Sequence, residues 1–383
     1  MADHKGSIGV WIGVLFGLVM SLTGCWDVTS SETITVPVLM AIDWHQGQYV
    51  VTVESDAPQL LHSPGASSGS SSTRPTWINS GRGPSFTAAM VNTGLDVLSG
   101  NPLTMAHLRV VIIGRSALSP KVLPGIFDHL DRAPYLHRTF WVLGSQGPAA
   151  KVAEVENPIG PDPVVVLERV LKVAQKHGWA HPPRFYQMLE TWDDTPYLGT
   201  VIPILTMSPE PGMAMAQQFQ LAGSWVLLGP QKIGQWSRSQ AGICAMLMNY
   251  HPSLLVPITA PHAVYVFRMV QSHNNLTWSR GSLNVKTSVS VSLAEVDGDQ
   301  TSPPSAAWMA QQVSYELSRE IMQFIGWTQT HHVDVLGVGL KAEAKHPHWF
   351  QENESRWSEI YGNVPVHLTV KVSTRDAGSL STY

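Results

Sequence analysis

The sequence predicts an α+β protein of three domains, each a mixed β-sheet flanked by helices, placed after a lipoprotein signal peptide. Three observations lead there. The chain has 383 residues, beyond the roughly 250–300 at which one hydrophobic core stops growing. Its strand-like runs are of two kinds. Some are almost wholly apolar, as in strands covered on both faces, and others alternate strictly, as in strands with one wet face. The first residues carry an export pattern that ends at a cysteine.

Composition excludes several classes. A net charge of −4 and a pI near 6.5 do not describe a polybasic nucleic-acid binder. With 44% hydrophobic residues there is enough to bury, so wholesale disorder is excluded. Two cysteines cannot build the disulfide framework of a small secreted fold. Charged residues make up only 14% of the chain, against about 25% in an average globular protein.

The elements follow in chain order. Ile8–Leu22 is an apolar stretch, too short for the roughly 20 residues of a membrane span but suited to an export signal. It runs into Leu22-Thr23-Gly24-Cys25, a lipobox. A diacylglycerol is transferred to the Cys25 thiol, and a peptidase cuts the Gly24–Cys25 bond, reached past the small residues Thr23 and Gly24. Residues 1–24 are thus the expected signal peptide, and the mature chain is tied to a membrane through lipid on Cys25. At about 0.8 kcal/mol per buried CH2, two or three acyl chains hold far more firmly than one. Cys244 is then left alone, a buried bystander with no disulfide partner.

Residues 25–157 form the expected N-terminal α/β domain. Val36–Asp43 and Gln48–Glu54 read as a hairpin around Gly47, and the Ser/Gly-rich Leu61–Arg74 as a loop. Phe86–Leu98 has a helical pattern, Leu108–Gly114 is a nearly continuous apolar strand, Leu118–Leu130 a helix containing Pro124, and Thr139–Leu143 a strand. Asn157–Pro161 marks a boundary.

Residues 158–250 form the expected middle domain. Asp162 and Pro163 open a helix whose stripe is Leu167, Val170, Leu171 and Ala174, with Gly178 past its end. Glu168 and Lys172 stand four apart and predict an ion pair on that helix. Met207–Gly212 reads as a hinge.

Residues 251–383 form the expected C-terminal α+β domain. Ala263–Met269 and Leu283–Leu293 are predicted strands, and the second alternates cleanly. After a loop at Glu295–Pro304 comes a helix at Ser305–Thr328 with a stripe of Met309, Val313, Leu317, Ile321 and Phe324. Val364–Ser373 is the last predicted strand.

Four segments, in order, resemble the C-subunit lipoproteins of bacterial spore germination receptors, the Ger(x)C family. They are Cys25-Trp26-Asp27 with Val38–Trp44, Gly83–Ala89 with Met105–Leu118, Phe127–Leu143, and His332–Phe350 with Arg356-Trp357-Ser358-Glu359. The resemblance implies three α+β domains and a lipid-anchored protein on the outer face of the spore inner membrane. It implies two partners, a multi-span A subunit and a transporter-like B subunit, with the small-molecule nutrient bound by those partners. The role implied is non-catalytic: receptor assembly and clustering during germination. The alternative reading is the substrate-binding lipoprotein of an ABC importer, which requires two similar α/β lobes around a cleft.

Candidate chemistry gives no catalytic, cofactor or metal site, and no enzyme is expected. Gly65-Ala66-Ser67-Ser68-Gly69 spells G-x-S-x-G, but the strand and helix that a nucleophile elbow needs around Ser67 are missing. His331, His332, Asp334, His346 and His348 are metal-ligand types without metal-site spacing, and His332 and Asp334 open an expected strand, Val333–Val338. Gly337-Val338-Gly339 lacks a third glycine and reads as a strand exit rather than a dinucleotide loop. Trp192-Asp193-Asp194, an acidic cluster, reads as a helix end or loop rather than a cation site. Trp349 and Trp357, beside Arg356, fit either a partner surface or core packing.

Overall fold

The computed structural model describes residues 35–56, 76–95, 103–155, 163–207, 219–279, 281–298 and 305–375. The expected signal peptide, Cys25 and Ser67 lie outside them.

Strands β1 (Val36–His45) and β2 (Gln48–Asp56) make the expected hairpin, turning through Gln46 and Gly47 at φ of 50° and 80°. β3 (Thr76–Gly83) adds antiparallel to β2 and was not legible as a strand because it contains Gly81 and Gly83. Helix α1 (Phe86–Val91) explains both glycines. It lies so close that a Cβ on Gly81 would stand 2.1 Å from the Ala89 carbonyl oxygen. The helix expected over Phe86–Leu98 stops at Val91, where Asn92 and Gly94 (φ +63°) end it.

β4 (Val110–Gly114) lies parallel to β1, and β5 (Trp141–Ser145) parallel to β4. Between them α2 (Leu123–Arg132) starts five residues later than the expected Leu118, because Pro124 takes its first turn. Helices α3 (Ala149–Ala153), α4 (Pro163–Lys176) and α5 (Phe185–Leu189) follow, then β6 (Gly199–Met207), β7 (Phe219–Leu228) and β8 (Gln231–Trp236). All eight strands form one sheet, ordered β3-β2-β1-β4-β5-β6-β7-β8 and parallel in its centre. It therefore continues across the boundary suggested at Asn157–Pro161.

Both faces of that sheet are covered. Met40, Ile42, Val111 and Ile113 pack against Phe86, Ile126, Phe127 and Phe185 on one side. Leu39, Ala41, Val110 and Ile112 pack against Ala149, Val152, Leu167 and Leu171 on the other. Glu168 of α4 does not pair with Lys172. It takes Arg109 instead, through Arg109 Nε at 3.1 Å and a second short contact from Nη2. A guanidinium offers two parallel donors to a carboxylate and so outcompetes a flexible ammonium on the same helix.

α6 (Arg238–Leu247) leads to the second sheet: β9 (Leu255–Ala260), β10 (Ala263–Ser279) and β11 (Ser282–Gly298). The last two form a hairpin of 17 residues each, longer than expected, and Glu295 belongs to β11 rather than to a loop. The polar stretch of β10 is what hid its length. Asn274 sits on the buried face, and its backbone and side-chain amides find Asn249 and the Met246 carbonyl. Helix α7 (Ala306–Thr330) buries Met309, Val313, Leu317, Ile321 and Phe324, the predicted stripe. Next come α8 (Val338–Lys345), α9 (Pro347–Asn353), α10 (Trp357–Gly362) and β12 (Val366–Thr374), giving sheet order β12-β11-β10-β9. α7 is thus the crossover that sets β12 parallel to β11. One apolar cluster joins Val226, Trp236 and α6 to the inner face of this sheet. The architecture is α+β with mixed sheets. Among the described residues no helix is long and apolar enough to cross a membrane.

Candidate functional site

Three of the residues singled out near the C-terminus, Gly337, Gly339 and Trp357, gather around Asp334. Residues 333–338 do not form the expected strand; the segment makes a single bridge, between Asp334 and Leu198, and Val338 starts α8. The reason is local. The fully buried Asp334 carboxylate accepts the backbone N–H groups of Leu336 (3.2 Å), Val338 (3.0 Å) and Gly339 (2.7 Å). The Val338 and Gly339 donors are ones that a helix start leaves unpaired, and Leu336 adds one from the turn before it, so the carboxylate folds the chain into a turn rather than a strand. Gly337, at φ +65°, makes that turn, and Gly339 leaves room for Tyr197 and the Trp357 indole.

A fourth donor reaches the same carboxylate: Trp357 Nε1 at 3.1 Å. Burial pushes the Asp334 carboxyl above its ordinary value, while its four hydrogen bonds pull the other way. With four donors and no exposure, Asp334 is saturated and holds three segments together: the 333–337 turn, α8 and α10. Trp357 is buried between Phe350, Trp278 and Tyr361. Tyr361 in turn shares a hydrogen bond of 2.7 Å with Thr328 of α7.

The other candidates are placed as follows. His332 adopts a left-handed backbone (φ 53°) and contacts the Ser358 carbonyl through Nδ1, and His331 stacks on Trp327. His346 and His348 are exposed at the α8–α9 junction. Among the described residues no group of three or more His, Cys, Asp or Glu is placed to hold a metal. Trp192-Asp193-Asp194 is the end of a helical turn after α5, as read, with Trp192 stacked on Phe127. Trp349 lies tilted over Trp278 and stays 37% exposed. The two tryptophans thus divide between the alternatives, Trp357 to core and Trp349 to surface. Cys244 is buried in α6, and burial pushes its thiol up to about 12, which makes it an inert apolar filler.

Asp43 was missed, although it falls within the Val38–Trp44 segment. Its carboxylate accepts from Ala149 N (3.0 Å) and Ala150 N (3.1 Å) at the start of α3, and Gly114 leaves it the space. An aspartate ending an apolar run was the available signal. In both places, then, a buried aspartate pins a helix start to a distant segment: Asp43 of β1 holds α3, and Asp334 joins the start of α8 to Trp357. The arrangement fixes segments in place and brings no nucleophile and base together.

Residues 27–207 match the family model described as spore germination protein N-terminal domain, and residues 228–378 the model described as spore germination B3/GerAC-like, C-terminal. The chain is 23% identical over 383 residues to "Putative spore germination protein YfkR" of Bacillus subtilis (strain 168), covering 94% of each. It is 25% identical over 168 residues to "Spore germination protein B3" of the same organism, 43% of this chain and 42% of that one. The crystal structure of the GerBC protein superposes with a TM-score of 0.55 at 14% identity, over 88% of this chain and 97% of that chain, a likeness of fold.

Proposed function

The chain belongs to the GerAC family of spore germination proteins, and from that premise we propose that it is the lipid-anchored C subunit of a nutrient germinant receptor. It is non-catalytic, sits on the outer face of the spore inner membrane by acyl chains on Cys25, and is needed for receptor assembly, clustering and germination. Its partners are multi-span A and B subunits, which bind the nutrient.

The observation that carries this reading is the tandem match of the two germination models from residue 27 to residue 378, starting just after the lipobox cysteine. The unlike sheets, of eight and four strands, speak against the two similar lobes of an importer's binding protein. Confinement to a membrane raises the effective concentration of partners, so modest interfaces suffice. The exposed Trp349, tilted over the buried Trp278, is the docking element that best fits such an interface. Replacement of Cys25 by alanine tests the anchor. The protein is expected to leave the spore membrane fraction and nutrient-triggered germination to fall. Normal retention with normal germination would overturn the reading.

A further inference from the structure

The eight-stranded sheet is split near its middle. β5 and β6 pair only at Gly144–Ile204 and Ser145–Leu205. Below that point residues 183–185 replace β6 along β5: Val142 N donates to the Pro183 carbonyl and Phe185 N to that of Phe140. β6 diverges there, and a cavity of about 540 Å³ opens between the His181–Arg184 segment, β6, α4 and α6. Its size falls within the roughly 300–1,000 Å³ of small-molecule sites. Exposed Lys172, Met248 and Tyr250 on its lining place its mouth at the surface.

The chemistry of the lining is one-sided. Arg184 and Lys172 line it, and no aspartate or glutamate does. Neither cation has an ion pair among the described residues. Glu168, four residues before Lys172 and close enough to act electrostatically on Arg184, is engaged by Arg109. Arg184 is held ready, its guanidinium 4.5 Å over the Trp141 ring and one arm on the Thr139 carbonyl. Three further polar atoms of lining residues are buried without a hydrogen-bond partner: His181 Nε2, Ser224 Oγ and Trp236 Nε1. Trp236 Nε1 can only donate. His181 is neutral, since burial pushes its imidazole down to about 4. Two cations without an ion pair in a cavity walled by Trp141, Pro183, Val201 and Val335 call for a negatively charged guest with an apolar body.

We propose that this cavity binds a small organic anion, its carboxylate on Arg184 and Lys172 and its apolar part against Trp141, Pro183 and Val201. The site lies far in sequence from Cys25 and Trp349, and binding is read on the purified chain, so its failure leaves the germination role untouched.

The test uses the full-length chain in detergent, titrated by calorimetry with hexanoate and phenylacetate, and with hexan-1-ol and hexylamine as uncharged and cationic matches. Saturable binding of the acids is expected, at least about tenfold tighter than the alcohol, with none of the amine. Arg184→Gln and Lys172→Gln should each weaken acid binding at least about fivefold. Lys172 is exposed, so its variant folds even if Arg184→Gln does not. No saturable acid binding, equal binding of acid and alcohol, or unchanged binding in Lys172→Gln would each overturn the proposal and leave a water-filled cavity.

Discussion

In the eight-stranded sheet, β4 and β5 bury every residue, whereas β10 and β11 of the four-stranded sheet bury alternate residues and leave Lys286, Ser288, His273 and Asn275 open to solvent. The first region is a sheet sandwiched between two helical layers; the second rests on α7 and α8 with one face bare. The difference shows where each region keeps its stability. The first holds it in side-chain packing on both faces. The second, half as well covered, depends more on the Asp334–Trp357 junction that joins its helices behind the sheet.

The largest effect expected to test that contrast is at Asp334. Asp334→Ala orphans three backbone N–H groups and an indole N–H, and should cost about 3–5 kcal/mol in urea unfolding. A cost below about 1 kcal/mol would show that the junction is not what holds the second region. Ile112→Ala, at the centre of the covered sheet, should cost about 3 kcal/mol, whereas Ser288→Ala on the bare face should stay within about 0.5 kcal/mol. Equal costs at these two positions would erase the comparison. Gly144→Ala comes next. A Cβ there would stand 2.3 Å from the Trp225 ring, and about 2 kcal/mol of overpacking is expected, seen as a lowered Tm.

A further effect is one of pH. Folding keeps His181 neutral down to about 4, whereas the unfolded chain takes up that proton near 6.5. The unfolded state then binds more protons, so stability is full above about pH 6.5 and declines as pH falls toward 4. After discounting for partial exposure, the loss is about 1–2 kcal/mol. His181→Gln should flatten that part of the pH–stability curve. If the slope persists in the variant, His181 is not its source.

The sequence was most legible where one physical rule acted alone. The alternating β11 and β12, the Met309–Phe324 stripe of α7 and the β1–β2 turn all stand where periodicity and Gly47 put them. It was least legible where tertiary contacts overrode local pattern. Gly81 and Gly83 look like loop residues until α1 is seen lying on them. Ser272 and Asn274 look like the end of a strand, yet β10 runs on, and Asn249 answers the buried Asn274. β8, with Gln231, Lys232 and Gln235, is an edge strand whose polarity disguises it. At the C-terminal junction the residue types were found but their geometry was not. Asp334 was weighed as a metal ligand or strand opener, and its real partners are backbone amides that no sequence pattern displays. The Glu168–Lys172 spacing was equally misleading, because Arg109 is distant in sequence and adjacent in space.

The central claim is that the chain works by holding multi-span partners together at a membrane. The most direct measurement is co-purification. The chain, tagged at its C-terminus, is expressed with multi-span A- and B-type subunits and captured after detergent extraction. Retention of both subunits, reduced by Trp349→Ala, is the predicted result; capture of the tagged chain with neither subunit would contradict the claim.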